Sequence, residues 1–234
     1  MTPAYVLHRR DYSDNSLLLD LFTLDHGRQS VIARGVKSGK RKKSAILQPF
    51  LPLIISLSGR GEVKTLRDAE ATEKPLSYSG DRLYSAYYLN ELVIKFLQQT
   101  DVNQAAFVHY AHALSELQQA QTPEIALRRF ELALLDAVGF GLELAFCNHG
   151  QTPIEAVKQY RYEMEQGPVE GNSGNGPKLL GQTLLHMHQG RFEDELTLRQ
   201  AKQLMRYAIS HYLDGYHFKS REFFTTSAVK QEQQ

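Results

Sequence analysis

"SLLLDLFTLDHGRQSVIARGV", residues 16–36, decides how the front of the chain folds. Apolar-rich runs of strand length lie on both sides of Asp25, His26 and Gly27, and two such runs joined by a short glycine-containing connection predict a β-hairpin. Three more runs of the same kind surround it: "AYVLHRR" (4–10), "LPLIISLS" (51–58) and "VKTLRDAEA" (63–71). Five short strands with no long helix between them suit a small closed barrel. The five-stranded OB barrel, which binds oligonucleotides, is one solution, and an SH3-like barrel fits the strand count nearly as well.

Beyond "ATEKPLSYSGD" the hydrophobic period changes from two to three or four. Residues 81–99 place Leu83, Tyr87, Leu92 and Phe96 near helical spacing, with Asp81 as N-cap. A second helix is expected over 103–120. A third runs from Pro123 to about 138, with Thr122 as N-cap and Gly139 past its end. Residues 145–177, with the glycine-rich "GPVEGNSGNGP", read as a loop flanking a short hairpin around "YRYEME", and helices follow at about 178–189 and 197–213. The expectation is an α+β chain, with a five-stranded OB barrel over 1–78 and a helical domain over 79–234.

With 234 residues, 42% of them hydrophobic, the chain can bury a core. No apolar run approaches the roughly 20 residues of a membrane helix. The charged N-terminus leaves no room for the apolar stretch of a signal peptide, so a cytoplasmic protein is expected. One cysteine, Cys147, excludes an internal disulfide framework. The net charge of +1 conceals an asymmetry: residues 1–75 hold 13 of the 27 basic but only 8 of the 26 acidic side chains. Such a basic front half points to a polyanion partner.

The densest basic stretch is "RGVKSGKRKKS", 34–44, whose glycines and lysine come close to a phosphate-binding loop. Gly35 and Gly39 stand one residue too close for that motif, and Lys40 is followed by Arg41 rather than Ser or Thr, so a nucleotide loop is rejected. A backbone-gripping nucleic-acid loop and a solvated charged loop remain. The pairs His109/His112, Cys147/His149, His186/His188 and His211/His217 complete no metal-binding pattern. No nucleophile elbow or spaced carboxylate set suggests catalysis, so a binding protein without cofactor is expected rather than an enzyme.

Read in series, "YVLHRRDYSDNSLLLDLFT", "HGRQSVIARGVKS", "LQPFLPL", "GRGEVKTLRDAE", "YYLNEL", "ALRRFELALLDAVGFG", "YRYE" and "KSRE" resemble the RecO family of bacterial DNA repair proteins and recombination mediators. The resemblance spans nearly the whole chain. It implies an N-terminal OB fold, binding of single- and double-stranded DNA, strand annealing, and partnership with RecR and the single-strand-binding protein SSB in placing RecA on DNA. Many relatives carry a four-cysteine zinc site after the "GFG" segment. Here only Cys147 remains, so no metal is expected, and the region about 145–177 reads as a degenerate ribbon.

On that footing Arg34, Lys37, Lys40, Arg41, Lys42 and Lys43 are the expected DNA contacts, with Arg60, Lys64 and Arg67 as a second patch. Tyr5, Tyr12, Phe22 and Phe50 are given no base-stacking role, because each could be core. For the acidic, apolar-tipped tail of SSB the expected site is the helix from residue 123, through Arg128 or Arg129 with Phe130 or Leu132; pairing of those arginines with Glu124 or Glu131 is the competing expectation. A structural adaptor without DNA affinity, another OB-fold nucleic-acid binder, and an unrecognised nuclease or ATPase are the other function classes.

Overall fold

In the computed structural model, residues 1–37, 43–119, 122–147, 149–171 and 174–222 are described. Five strands form a closed barrel: β1 (Thr2–Ser13), β2 (Ser16–Thr23), β3 (Gly27–Ala33), β4 (Leu53–Ser58) and β5 (Val63–Ala71), in the order β1-β2-β3-β5-β4. All pairings are antiparallel except β3 with β5, where Ser30–Ile32 lie parallel to Val63–Thr65. That is the OB arrangement, and it decides between the two barrels open to the sequence.

The period-two pattern has a direct physical result in β2. Leu17, Leu19 and Leu21 point inward with Val6, Val31, Leu53 and Ile55 to make the barrel core. Phe22, one residue out of phase, is equally buried, because its ring packs edge-on against Phe107 and Tyr110 of a helix outside the barrel. The β2–β3 turn needs Gly27: its φ is +64°, and a Cβ there would run into the backbone carbonyl of Asp101.

Helices α1 (Asp81–Phe96) and α2 (Gln104–Gln119) pack with the barrel in one compact unit, Met1–Gln119, which the chain rejoins from Phe218. The change of period after residue 78 is therefore a change of secondary structure inside one packed unit. Buried polar groups bolt it together. Arg28 on β3 donates to the carbonyls of Ile94 and Leu97, both at 2.7 Å, and pairs with Asp20 at 2.6 Å, so a cation satisfies the C-terminal carbonyls of α1. Asn90 of α1 donates to the carbonyl of Leu7 and accepts from the Tyr110 hydroxyl. Gly80, not Asp81, occupies the N-cap of α1; Asp81 lies in the first turn, where its charge still favours the helix dipole.

The second unit, Ala120–His217, holds α3 (Pro123–Ala137), the two-stranded pair β6 (Phe146–Cys147) and β7 (Thr152–Pro153), and a small sheet ordered β10-β8-β9. In that sheet β8 is Gln159–Glu163, β9 Gly167–Glu170 and β10 Lys178–Leu180. Helices α4 (Gly181–His188) and α5 (Glu195–Tyr212) complete the unit, and α3 and α4 both pack on α5. The expected helix from 178 thus begins three residues later, because 178–180 pair with β8 as a strand. Asp194 caps α5 by accepting from the Thr197 N–H at 2.8 Å. Cys147 is buried as a free thiol.

Candidate nucleic-acid interface

The interface is built on the far half of β1. From His8 to Ser13 every residue of this strand is exposed, although β2 still pairs with it as far as Ser13↔Ser16. A strand end bare on both sides is a surface on which a loop can be laid, and described residues from both ends of the basic connection between β3 and β4 meet it. Lys37 donates to the Ser13 carbonyl at 3.0 Å and pairs with Asp11 at 2.7 Å. Further along, Arg9 donates to the carbonyls of Ser44 (3.3 Å) and Leu47 (3.1 Å). Lys43 pairs with Asp68 on β5 at 3.0 Å. The Lys43 hydrogen bond, then the Ala69 backbone N–H and the Lys43 charge, hold the Asp68 carboxyl below its usual range.

Both described ends of the loop are therefore anchored to strands. Lys40, Arg41 and Lys42 fall between these anchors and lie outside the described residues. Arg34 is exposed and has no hydrogen-bond partner among the described residues.

Of the second expected patch, Arg67 is displayed by a β-bulge. The register steps from Ser56↔Asp68 to Leu57↔Leu66, which leaves Arg67 without a cross-strand partner, exposed, with its Nε donating to Ser58 Oγ at 2.7 Å. Lys64 donates to the Gly59 carbonyl, and Arg60 is exposed in the β4–β5 turn. Since Lys43 is held by Asp68, the residue after Arg67, the two patches meet on β5. Lys64 and Asp68 stand roughly 13 Å apart along that strand. Beside Lys64 a cleft of about 400 Å³ opens between the β2–β3 and β4–β5 turns, lined by His26, Gln29, Gly59 and Thr100 among others.

The structure also sorts the aromatic residues. Tyr5, Phe22 and Phe50 are core; burial, then the Glu73 charge, pushes the Tyr5 hydroxyl up to about 12, and burial pushes that of Tyr110 well above its ordinary value. Tyr12 is different, with 60% of its surface exposed. Sequence reasoning missed Arg9 as a neighbour of the basic loop. The signal was present in "HRRDY", a basic pair where the apolar alternation of β1 stops.

On α3 the expected peptide site needs correcting. Arg128 is 4% exposed and pairs at 2.7 Å with Glu131, itself 1% exposed, one helical turn on; Phe130 is 2% exposed. Neither Arg128 nor Phe130 can line a surface groove, because the helix buries that face against its neighbours. Arg129 remains partly exposed, donating to the Gly190 carbonyl at 3.2 Å and to Glu193 at 3.1 Å, and Leu132, three residues on, is half-buried. Among the described residues no group of three or more His, Cys, Asp or Glu is placed to hold a metal, and no helix is long and apolar enough to cross a membrane.

Comparison with known proteins bears on the whole length. Residues 1–75 match the family described as Recombination protein O N terminal, and residues 77–222 match Recombination protein O C terminal. The chain belongs to the RecO family. It is 42% identical over 225 residues to the DNA repair protein RecO of Methylococcus capsulatus, covering 96% of this chain and 93% of that one. The DNA repair proteins RecO of Vibrio parahaemolyticus (over 94% of this chain and 91% of the relative) and Yersinia pestis (97% and 95%) are each 41% identical to it. The two RecO segments meet at residues 75 and 77, where β5 has ended and α1 has not begun, so the N-terminal RecO segment coincides with the OB barrel.

Proposed function

We propose that this RecO-family chain is a non-catalytic DNA-binding protein that grips single and double strands through their phosphates, anneals complementary strands, and acts with RecR to place RecA on SSB-coated DNA. The observation that carries the DNA reading is the anchoring of a basic loop onto two strands of an OB barrel, with Arg34, Lys37 and Lys43 at its described ends, Arg60 in the β4–β5 turn, and Lys64 and Arg67 along β5. Annealing is slowed by repulsion between two phosphate backbones, and a protein lowers that barrier by lending cations to both. Such contacts carry no base information. The aspartates that hold Lys37 and Lys43 are well exposed, with side-chain exposures of 81% and 46%, so a phosphate exchanges for them at small cost.

For the SSB tail the reading rests on Arg129 and Leu132, which share one helix face, with Glu193 as the resident carboxylate that an acidic peptide displaces. RecR and RecA come from the family reading, and no surface of this chain is assigned to either.

The test is a salt titration with labelled single- and double-stranded oligonucleotides. Replacing Lys40, Arg41, Lys42 and Lys43 with alanine should weaken binding of every sequence to a similar degree. If two to four phosphate contacts are lost, the slope of log affinity against log salt for single strands falls by roughly 1.4 to 2.8. A folded quadruple variant that keeps both the slope and the annealing rate defeats the loop's role. Absence of any salt-dependent binding in the wild type leaves a protein adaptor, and turnover of DNA or ATP with magnesium makes the chain an enzyme.

A further inference from the structure

β1 and β2 form a hairpin whose end carries an exposed tyrosine with no hydrogen bond or ring contact among the described residues. The register advances from Asp11↔Leu17 to Ser13↔Ser16, two residues on β1 against one on β2, so Tyr12 is the extra residue of a β-bulge. A bulge breaks pairing and re-aims a side chain. Here the residue is 60% exposed, and among the described residues its side chain makes no hydrogen bond or ring contact. Its chain neighbours do bond: Asp11 and Ser13 both hold Lys37, at the root of the basic loop. The register Asp11↔Leu17↔Ala33 puts Arg34 at the same end of the barrel, two strands and about 10 Å from Tyr12. Among the described residues, an uncovered aromatic side chain thus stands between two cations, Lys37 and Arg34.

We propose that Tyr12 is a stacking platform for an unpaired base of single-stranded DNA, whose flanking phosphates lie on Arg34 and Lys37. The proposal rests on the DNA-binding reading above and adds to it the device by which the barrel tells a single strand from a duplex. Every base has a π-face, so stacking is indifferent to sequence, but the faces in a duplex are already occupied by neighbouring pairs. Cations alone hold both forms; the ring adds affinity for one.

The chain contains no tryptophan, so Tyr12→Trp places a single fluorophore at this point. Its emission should be quenched on saturation with oligothymidylate and hardly change with a duplex of equal length, while anisotropy of labelled DNA reports binding independently. Tyr12→Phe should keep wild-type affinity. Tyr12→Ala should lose about 5- to 150-fold for single strands and less than about 2-fold for duplex, with an unchanged salt slope, because stacking releases no counterions. An unchanged emission when anisotropy shows the strand bound, or equal losses of single- and double-strand affinity in Tyr12→Ala, overturns the platform and leaves the cation reading standing. Absence of DNA binding in the wild type overturns both.

Discussion

Two arginine-bearing stretches of this chain look alike in sequence and end in opposite environments. Arg34 follows the last residue of β3 and stands in solvent, whereas Arg128, set in "ALRRFELALL", is turned inward onto Glu131. The difference lies in what flanks each residue. After Ala33 the barrel strand gives way to a glycine-containing loop, and a cation leaving a strand end points into water. On α3, Ala126, Leu127, Phe130, Leu134 and Leu135 are buried, so the apolar face is wide and takes Arg128 with it. Such an arginine persists only with a carboxylate beside it. Basic residues are interchangeable when counted, but only those outside an apolar stripe are available to a ligand.

The strongest test of this contrast is stability. Arg128→Ala removes the guanidinium paired with Glu131, a carboxylate at 1% exposure, and should cost about 3 kcal/mol in denaturant unfolding, whereas Arg34→Ala should cost less than about 0.5 kcal/mol. The Nε and Nη1 of Arg128 find no hydrogen-bond acceptor among the described residues, so the joint change Arg128→Met with Glu131→Leu should recover most of the loss. Equal costs for the two single alanine variants would break the comparison.

Alkali sharpens it, because the barrel unit also buries groups that must stay neutral. Burial is the main reason that Tyr5 and Tyr110 have raised hydroxyl pKa values in the fold. A group whose folded pKa is raised contributes stability that is complete below its unfolded value, near 10, and lost as pH rises through the folded value. Thermal midpoints should therefore be insensitive to pH from neutrality to about 10 and fall between about 10 and 12; Tyr5→Phe should reduce that fall. A flat midpoint across that interval would contradict the burial of these hydroxyls.

The third effect is smaller. Glu193→Gln removes one carboxylate that competes for Arg129 and should tighten an SSB-tail peptide by about 2- to 5-fold, as expected for loss of an exposed pair. Unchanged peptide affinity, measured by anisotropy, would move that site off α3. The smallest concerns DNA: Asp11→Asn frees Lys37 and should raise oligonucleotide affinity by about 2-fold at low salt, an increment that disappears near 1 M as screening shortens to about 3 Å. An unchanged or weakened affinity at low salt would mean that Lys37 does not meet the phosphates.

Much of the barrel was legible because its strands are half-buried and alternate. Where burial stops, legibility stops: β1 was expected to end at Arg10, yet it runs to Ser13 through residues exposed on both faces. Of its last three residues, Asp11 and Ser13 are held by backbone pairing to β2 and carry no hydrophobic signal. The first helix, expected to reach residue 99, ends at Phe96, where the guanidinium of Arg28 takes the carbonyls of Ile94 and Leu97. That bond links residues 66 and 69 positions apart, beyond the reach of any local pattern. Of the candidate site, the cations were visible as composition, but their anchoring to Asp11 and Asp68 and the display of Tyr12 and Arg67 by bulges were not.

By itself the sequence determined that five amphipathic strands precede a set of helices and that positive charge gathers in the connection after the third strand. Those properties follow from short-range periodicity and residue type, which survive without knowledge of any partner strand. Closure of the sheet with β3 parallel to β5 was decided by the tertiary structure alone, as were the inward turn of Arg128 and the outward turn of Tyr12. Each depends on which distant backbone or side chain meets the residue in space. A register step of one residue turns a side chain to the other face of a strand, and no composition records that step.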